Sequence, residues 1–153
     1  MTNHQARSSN DMSRSLLFFL RAADYGMIAY WVFSALACLG AFTVPLAWMY
    51  GGYGTPQVDA WNWSFMPLDI AFAALGIWSI NLARRNDPRW RIVCAISLTL
   101  TMCAGGMAVS YWTIIGEFDP TWWAANLALF LLPLIWLPAL IKQPATISDK
   151  DAI

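Results

Sequence analysis

Charge is what this chain has least of. Only 12% of its 153 residues are Asp, Glu, Lys or Arg, against roughly one quarter in a soluble domain. The formal net charge is zero, so the electrostatic basis for nucleic-acid binding is missing and no such partner is expected. Histidine is nearly absent. His4, the single one, lies in a polar tail, which removes histidine acid–base and metal chemistry from the fold. Cys38, Cys94 and Cys103 fall in separate apolar runs without a C-x-x-C pair, and are expected to be small buried hydrophobes. The apolar runs hold no lysine for a retinal Schiff base, and no paired carboxylates or histidine for sterol-isomerase chemistry. No ionisable group is read at the middle of a run, which counts against a proton-coupled exporter. The expectation is a non-enzymatic protein with no cofactor and no metal.

What is abundant is apolar surface: 59% of residues are hydrophobic and ten are tryptophan, the composition of a membrane protein. Four apolar runs, at about residues 25–49, 65–83, 92–115 and 121–141, each approach the roughly 20 residues a bilayer requires. The predicted fold is all-α: a four-helix transmembrane bundle over residues 16–141. A mobile cytoplasmic tail is expected at 1–15 and a disordered one at 142–153. Ser13 to Leu20 reads as an interfacial start of the first helix, with Arg14 and Arg21 snorkelling and Arg21 paired to Asp24. The Ala35-Leu36-Ala37-Cys38 segment hints at a lipoprotein box, but the apolar run continues through Phe42, Val44 and Leu46. It is too long for a signal h-region. Pro45 is expected to kink the first span. Gly51 to Asn62 reads as a loop, Ser64 as the cap of span two with Pro67 in its first turn, and Asp119 as the cap of span four before Pro120. Pro133 and Pro138 interrupt that last span.

Orientation follows from the cations. Arg7, Arg14 and Arg21 precede span one; Arg84, Arg85, Arg89 and Arg91 join spans two and three; Lys142 and Lys150 follow span four. With four spans these segments share one side, and the other side has only Asp59, Glu117 and Asp119. The positive-inside bias then puts both termini in the cytoplasm of a multi-pass plasma (inner) membrane protein. Trp48, Tyr50, Trp61, Trp63, Trp112, Trp122 and Trp123 are expected as an outer aromatic belt, and Trp90 and Tyr25 as an inner one.

Two constellations stand out. By helical rise, Asp69 lies roughly 7 Å past Ser64, Asn126 roughly 9 Å past Pro120 and Tyr111 roughly 9 Å before Glu117. Asp69, Ala73 and Gly76 form a small face that turns the acid into the bundle. With Ser110, Trp63, Trp123 and Glu117 these residues are candidates for an outward-facing pocket. The plainer alternative is that Asp69 complements its helix dipole while Asn126 and Tyr111 bridge helices. The second constellation, Asp24 with Arg84, Arg85, Arg89 and Arg91, is a candidate headgroup or partner contact, although topology signalling alone also accounts for those arginines. A stripe of Ser97, Thr101, Gly105, Gly106 and Ser110 reads as a packing seam of span three.

The run Trp61-Asn62-Trp63-Ser64-Phe65-Met66-Pro67-Leu68-Asp69, with Asp24-Tyr25-Gly26 and Tyr30-Trp31, resembles the YvaD-like family over roughly Leu17 to Ile141. These are small bacterial four-span membrane proteins without assigned activity. The resemblance implies a bacterial inner membrane and four helices, and supplies no catalytic residues. The leading expectation is a protein that holds a lipid-like or small amphipathic ligand in an outer-leaflet pocket. A second is a structural or regulatory subunit, or a homo-oligomer, docking another membrane protein through the span-three seam. A third is a lipid-modifying enzyme using Asp69 or Glu117 as acid–base.

Overall fold

The structure, a computed structural model, describes residues 11–142. The predicted tails lie, over residues 1–10 and 143–153, outside the described residues. The described chain is helical, with no strand: α1 (Arg14–Cys38), α2 (Pro56–Ser64), α3 (Met66–Arg84), α4 (Trp90–Ile115), α5 (Pro120–Leu131) and α6 (Leu137–Lys142). Four stretches are long and apolar enough to cross a membrane: Arg14–Cys38, Pro56–Arg84, Trp90–Ile115 and Pro120–Lys142.

The first helix starts where the Ser13 to Leu20 segment places it but stops earlier than the run of apolar residues suggests. Ser13 accepts a hydrogen bond from the Leu16 amide at 3.2 Å, so the helix is capped before Arg14. Its end is set by Gly40 at φ 76°, where the Ala41 amide reaches back to the Leu36 carbonyl and the Gly40 amide to that of Ala37. This six-to-one closure ends α1 at Cys38, and Pro45 precedes a short 3-10 turn, Leu46–Trp48, instead of kinking a helix.

The second span also departs from expectation. Pro56 occupies a first-turn position after Thr55, so helix begins inside the predicted loop. Ser64 caps nothing: its hydroxyl donates to the Trp61 carbonyl at 2.6 Å. Pro67, which lacks an amide, separates α2 from α3 at Phe65. Span three agrees closely with expectation and closes on Gly116 at φ 72°. In span four Asp119 does cap α5, accepting from the Thr121 and Trp122 amides at 2.8 and 3.1 Å. A 3-10 turn, Leu132–Ile135, carries the chain past Pro133 into α6.

Helix α1 packs on α3, α3 on α4, and α4 on α5, while α1 and α5 do not form a packed pair. The span-three seam is used inside the chain. Ser97 donates to the Phe72 carbonyl of α3 at 2.9 Å, and a Cβ on Gly105 would lie 2.6 Å from the Asn126 carbonyl oxygen of α5. Two apolar clusters fill the interior. One joins Leu16, Phe19 and Leu20 to Ile80, Leu98 and Leu137; the other joins Trp31 to Phe65, Phe72, Ala73, Ala104 and Ala108. Among the described residues the arginines and Lys142 gather at the end nearer the first cluster, and Asp59, Glu117 and Asp119 at the other. Of the cysteines only Cys94 is buried; Cys38 and Cys103 are exposed. The outer face of a membrane span is itself apolar, so hydrophobic neighbours in sequence do not distinguish core from periphery.

Candidate functional site

Between α1 and α5, toward the acidic end, lies a cavity of about 300 Å³. Its floor carries Asp69, which is 4% exposed and accepts a hydrogen bond from the Trp31 indole nitrogen at 3.0 Å. Trp31 reaches it because α1 and α3 are antiparallel neighbours. The other Asp69 oxygen takes no hydrogen bond from the described residues and is left to the cavity. Asn126 lines the same space with its amide donating to the Trp122 carbonyl of its own helix at 2.8 Å. Ala104 and Ala108 form the apolar back wall.

A second recess of about 270 Å³ sits beside it, bounded by the end of α1 and the Leu46–Trp48 turn. Tyr30, Tyr50, Asn62 and Trp122 line both spaces and so partition them. The partition is held by the Tyr30 hydroxyl donating to the Asn62 side-chain amide oxygen, Oδ1, at 3.1 Å, and by Trp122 lying edge-on to Tyr30 and Tyr50. Tyr50 donates in turn to Asp59 at 3.2 Å, and the same carboxylate oxygen accepts from the Gly54 amide at 3.1 Å. Burial, then the Asp59 charge, pushes the Tyr50 phenol above its ordinary range, so it stays a donor.

The side of the cavity toward the basic end is different. Ala22, Ala23 and Leu129 line both it and a further apolar recess of about 420 Å³ between Phe19 and Trp136. The first and last spans meet across this crevice through side chains: Phe19 against Trp136 at 5.2 Å, and the Trp136 indole on the Ser15 hydroxyl at 3.4 Å. The crevice therefore continues sideways along the spans.

Of the residues the sequence nominates, the structure brings Asp69 and Asn126 together on the cavity and leaves the others elsewhere. Tyr111 stacks flat on Trp61 at 3.9 Å. Ser110 is exposed and donates to the Gly106 carbonyl at 2.8 Å. Trp63 packs on the far side of Trp31 and lines the second recess. Trp123 donates to the Glu117 carbonyl at 3.2 Å and lies against Phe118, while the Glu117 carboxylate crowds Gly51. Matched depth does not imply matched direction around the helix, and rise per residue speaks only to depth.

The family of unknown function DUF5360 matches residues 16–147. The chain belongs to the DUF5360 family. It is also 39% identical over 127 residues to the uncharacterized protein YvaD of Bacillus subtilis (strain 168), covering 83% of this chain and 91% of that one. No solved structure matches. The family match takes in every element that builds the cavity, and it brings no assigned activity with it.

At the basic end the structure corrects one placement outright. Asp24 does not pair with Arg21 or join the arginine loop; it is 1% exposed, against Gly76 of α3, while Arg21 faces outward. The stripe Leu16, Leu20, Asp24, Trp31 turns one face of α1 toward α3, and Arg21 falls off that face. Arg84 and Arg85 are exposed at the end of α3. Arg89 forms an ion pair with Asp87 at 2.6 Å, and Arg91 lies over the Trp90 ring at 5.1 Å. The Arg89 guanidinium holds the Asp87 carboxyl below its usual range, and Asp87 also accepts from the Arg89 amide just before α4. Sequence reasoning does not nominate Trp31, Asn62, Tyr30 or Trp122 as cavity residues. The signal available is the spacing of Asp24 and Trp31 on one α1 face.

Proposed function

We propose that this chain is a non-enzymatic protein of a bacterial inner membrane, with both termini cytoplasmic, that holds a small amphipathic or lipid-like molecule in the cavity above Asp69. One observation carries the reading: a single buried carboxylate, one oxygen of which has no hydrogen-bond partner among the described residues, faces a chamber of about 300 Å³ that is aromatic and aliphatic apart from Asn62 and Asn126. Small-molecule sites run from about 300 to 1,000 Å³, so the chamber suits one small amphiphile or one acyl chain rather than a whole phospholipid. An anionic floor under apolar walls favours a hydrogen-bond-donating or cationic head with its tail along Ala108 and Leu129. The lateral crevice gives the tail a route to the bilayer core. Segregation of the cations to one end supports the cytoplasmic placement of that end.

The subunit reading finds less support, because Gly105 and Ser97 are occupied by α5 and α3 of the same chain. The test is native mass spectrometry of protein extracted gently with its lipids. Wild-type protein is expected to carry a retained small molecule, and Asp69→Asn to retain it at least tenfold less. Equal retention by both would remove the site, and a retained polypeptide would favour the subunit.

A further inference from the structure

Asp24 is the residue among those described whose buried side-chain oxygens both lack a hydrogen-bond partner. It meets α3 at Gly76, eight residues and roughly 12 Å along the axis from the exposed Arg84 that ends that helix, so an ionisable group stands inside the apolar runs where the sequence reading expects none at the middle. It also falls between the two apolar clusters. A Cβ on Gly76 would stand 2.6 Å from the Asp24 carboxyl carbon and 2.7 Å from Oδ1. The carboxyl thus reaches the α3 backbone only because position 76 has no side chain.

Each neighbouring polar group is committed elsewhere or carries no positive charge. The Ser79 hydroxyl donates to the Gly76 carbonyl at 2.7 Å, and the buried Cys94 thiol of α4 lies within electrostatic reach. On α1, Arg21 is exposed; on α3, Arg84 is exposed two turns away and Asp69 is tied to Trp31 seven residues the other way. On α4, Arg91 covers the Trp90 ring. The ion pair formed among the described residues is Arg89–Asp87, remote from Asp24.

A bare carboxylate without donors or a counter-charge is strongly disfavoured in such surroundings, whereas a neutral carboxyl is tolerated and brings a donor of its own. A hard metal cation requires six or more oxygens, and this junction offers one carboxylate with a hydroxyl and a thiol. We propose that Asp24 is a proton-binding site inside the bundle, and that its proton load sets how closely α1 packs on α3. Loading adds a proton from water to one carboxylate oxygen and yields a neutral carboxyl. Unloading returns that proton to water and leaves a charge that is hydrated only if α1 draws away from Gly76. Ala23 and Gly26 stand one and two residues from Asp24 in the cavity wall, so the movement reshapes the cavity. The proton site itself does not rest on the ligand reading.

The test uses the full chain in lipid nanodiscs and infrared difference spectroscopy between acidic and alkaline buffer. At neutral pH the wild type is expected to show the carbonyl band of a protonated carboxyl. Asp24→Asn should abolish it and Asp69→Asn should leave it. No such band in the wild type, or a band that survives Asp24→Asn, overturns the proposal. If Asp24→Asn does not fold, Asp24→Glu must shift the band, and an unshifted band overturns it equally. Packing is read by heat: raising the pH should lower the thermal midpoint of the wild type but not of Asp24→Asn. Parallel falls in both would sink the coupling of proton load to packing. Neither readout involves a ligand, so an empty cavity would refute the ligand reading alone.

Discussion

Trp31 and Asp69 show how a single contact organises the cavity. The indole donates to a carboxylate that is 4% exposed, and a hydrogen bond to a charged group contributes about 1.5–3 kcal/mol net. Trp31→Phe keeps a six-membered aromatic ring but removes the donor together with the pyrrole part of the buried indole. The expected result is a loss of about 1–3 kcal/mol, read by denaturant unfolding in micelles, because the buried acceptor is then left unpaired. A loss within error of zero would mean that Asp69 finds another donor. The importance of Asp69 is legible in the order of residues, since an acid in an apolar run requires a reason. Its partner is not, because nothing in that order says which of ten tryptophans will cross from α1. Asp24 departs from expectation for a related cause. Three-residue spacing to Arg21 permits a pair, yet the helix turns the two side chains to different surroundings.

Helices meet here through glycine. At Gly105 a Cβ would approach the Asn126 carbonyl oxygen to 2.6 Å and the Phe130 amide nitrogen to 2.7 Å, both backbone atoms that cannot rotate aside. Gly105→Ala is therefore expected to push α5 off α4 and cost about 1–3 kcal/mol, visible as a lower thermal midpoint in micelles. Gly106→Ala meets the edge of the Phe130 ring at 3.1 Å, a side chain free to yield, and should cost less. Equal losses would place the tight contact elsewhere. The seam itself is legible in Ser97, Thr101 and Gly105 at four-residue intervals. The helix boundaries are less so. Gly40, Pro56 and Pro67 each redirect the chain where the hydrophobic run gives no sign of it. Local backbone geometry outweighs composition at each of these points.

Across the molecule, the spans form an open series rather than a closed ring, and the crevice between α1 and α5 is the consequence. The partition of Tyr30, Tyr50, Asn62 and Trp122 closes the cavity toward the acidic end. Tyr30→Ala removes the hydroxyl that holds Asn62, and is expected to join the two recesses and raise quenching of tryptophan fluorescence by a water-soluble quencher. Unchanged quenching would show that the remaining three residues suffice. Orientation is a matter for labelling: with the exposed Cys38 and Cys103 replaced by serine, Asn86→Cys should react with an impermeant maleimide only after the inner side of the membrane is exposed, and reaction from the outside would reverse the orientation.

Composition, run length and the position of every cation are properties of the chain as a string, and they are enough to specify four helices fit to cross a membrane and one basic end. They suffice because a bilayer sorts residues by depth, and depth rises linearly along a helix. Which side chains share a chamber depends instead on rotation about each axis and on which helices become neighbours. Those are decided where Gly76 and Gly105 let backbones close up, leaving Asp24 without a hydrogen-bond partner among the described residues and Asp69 under Trp31.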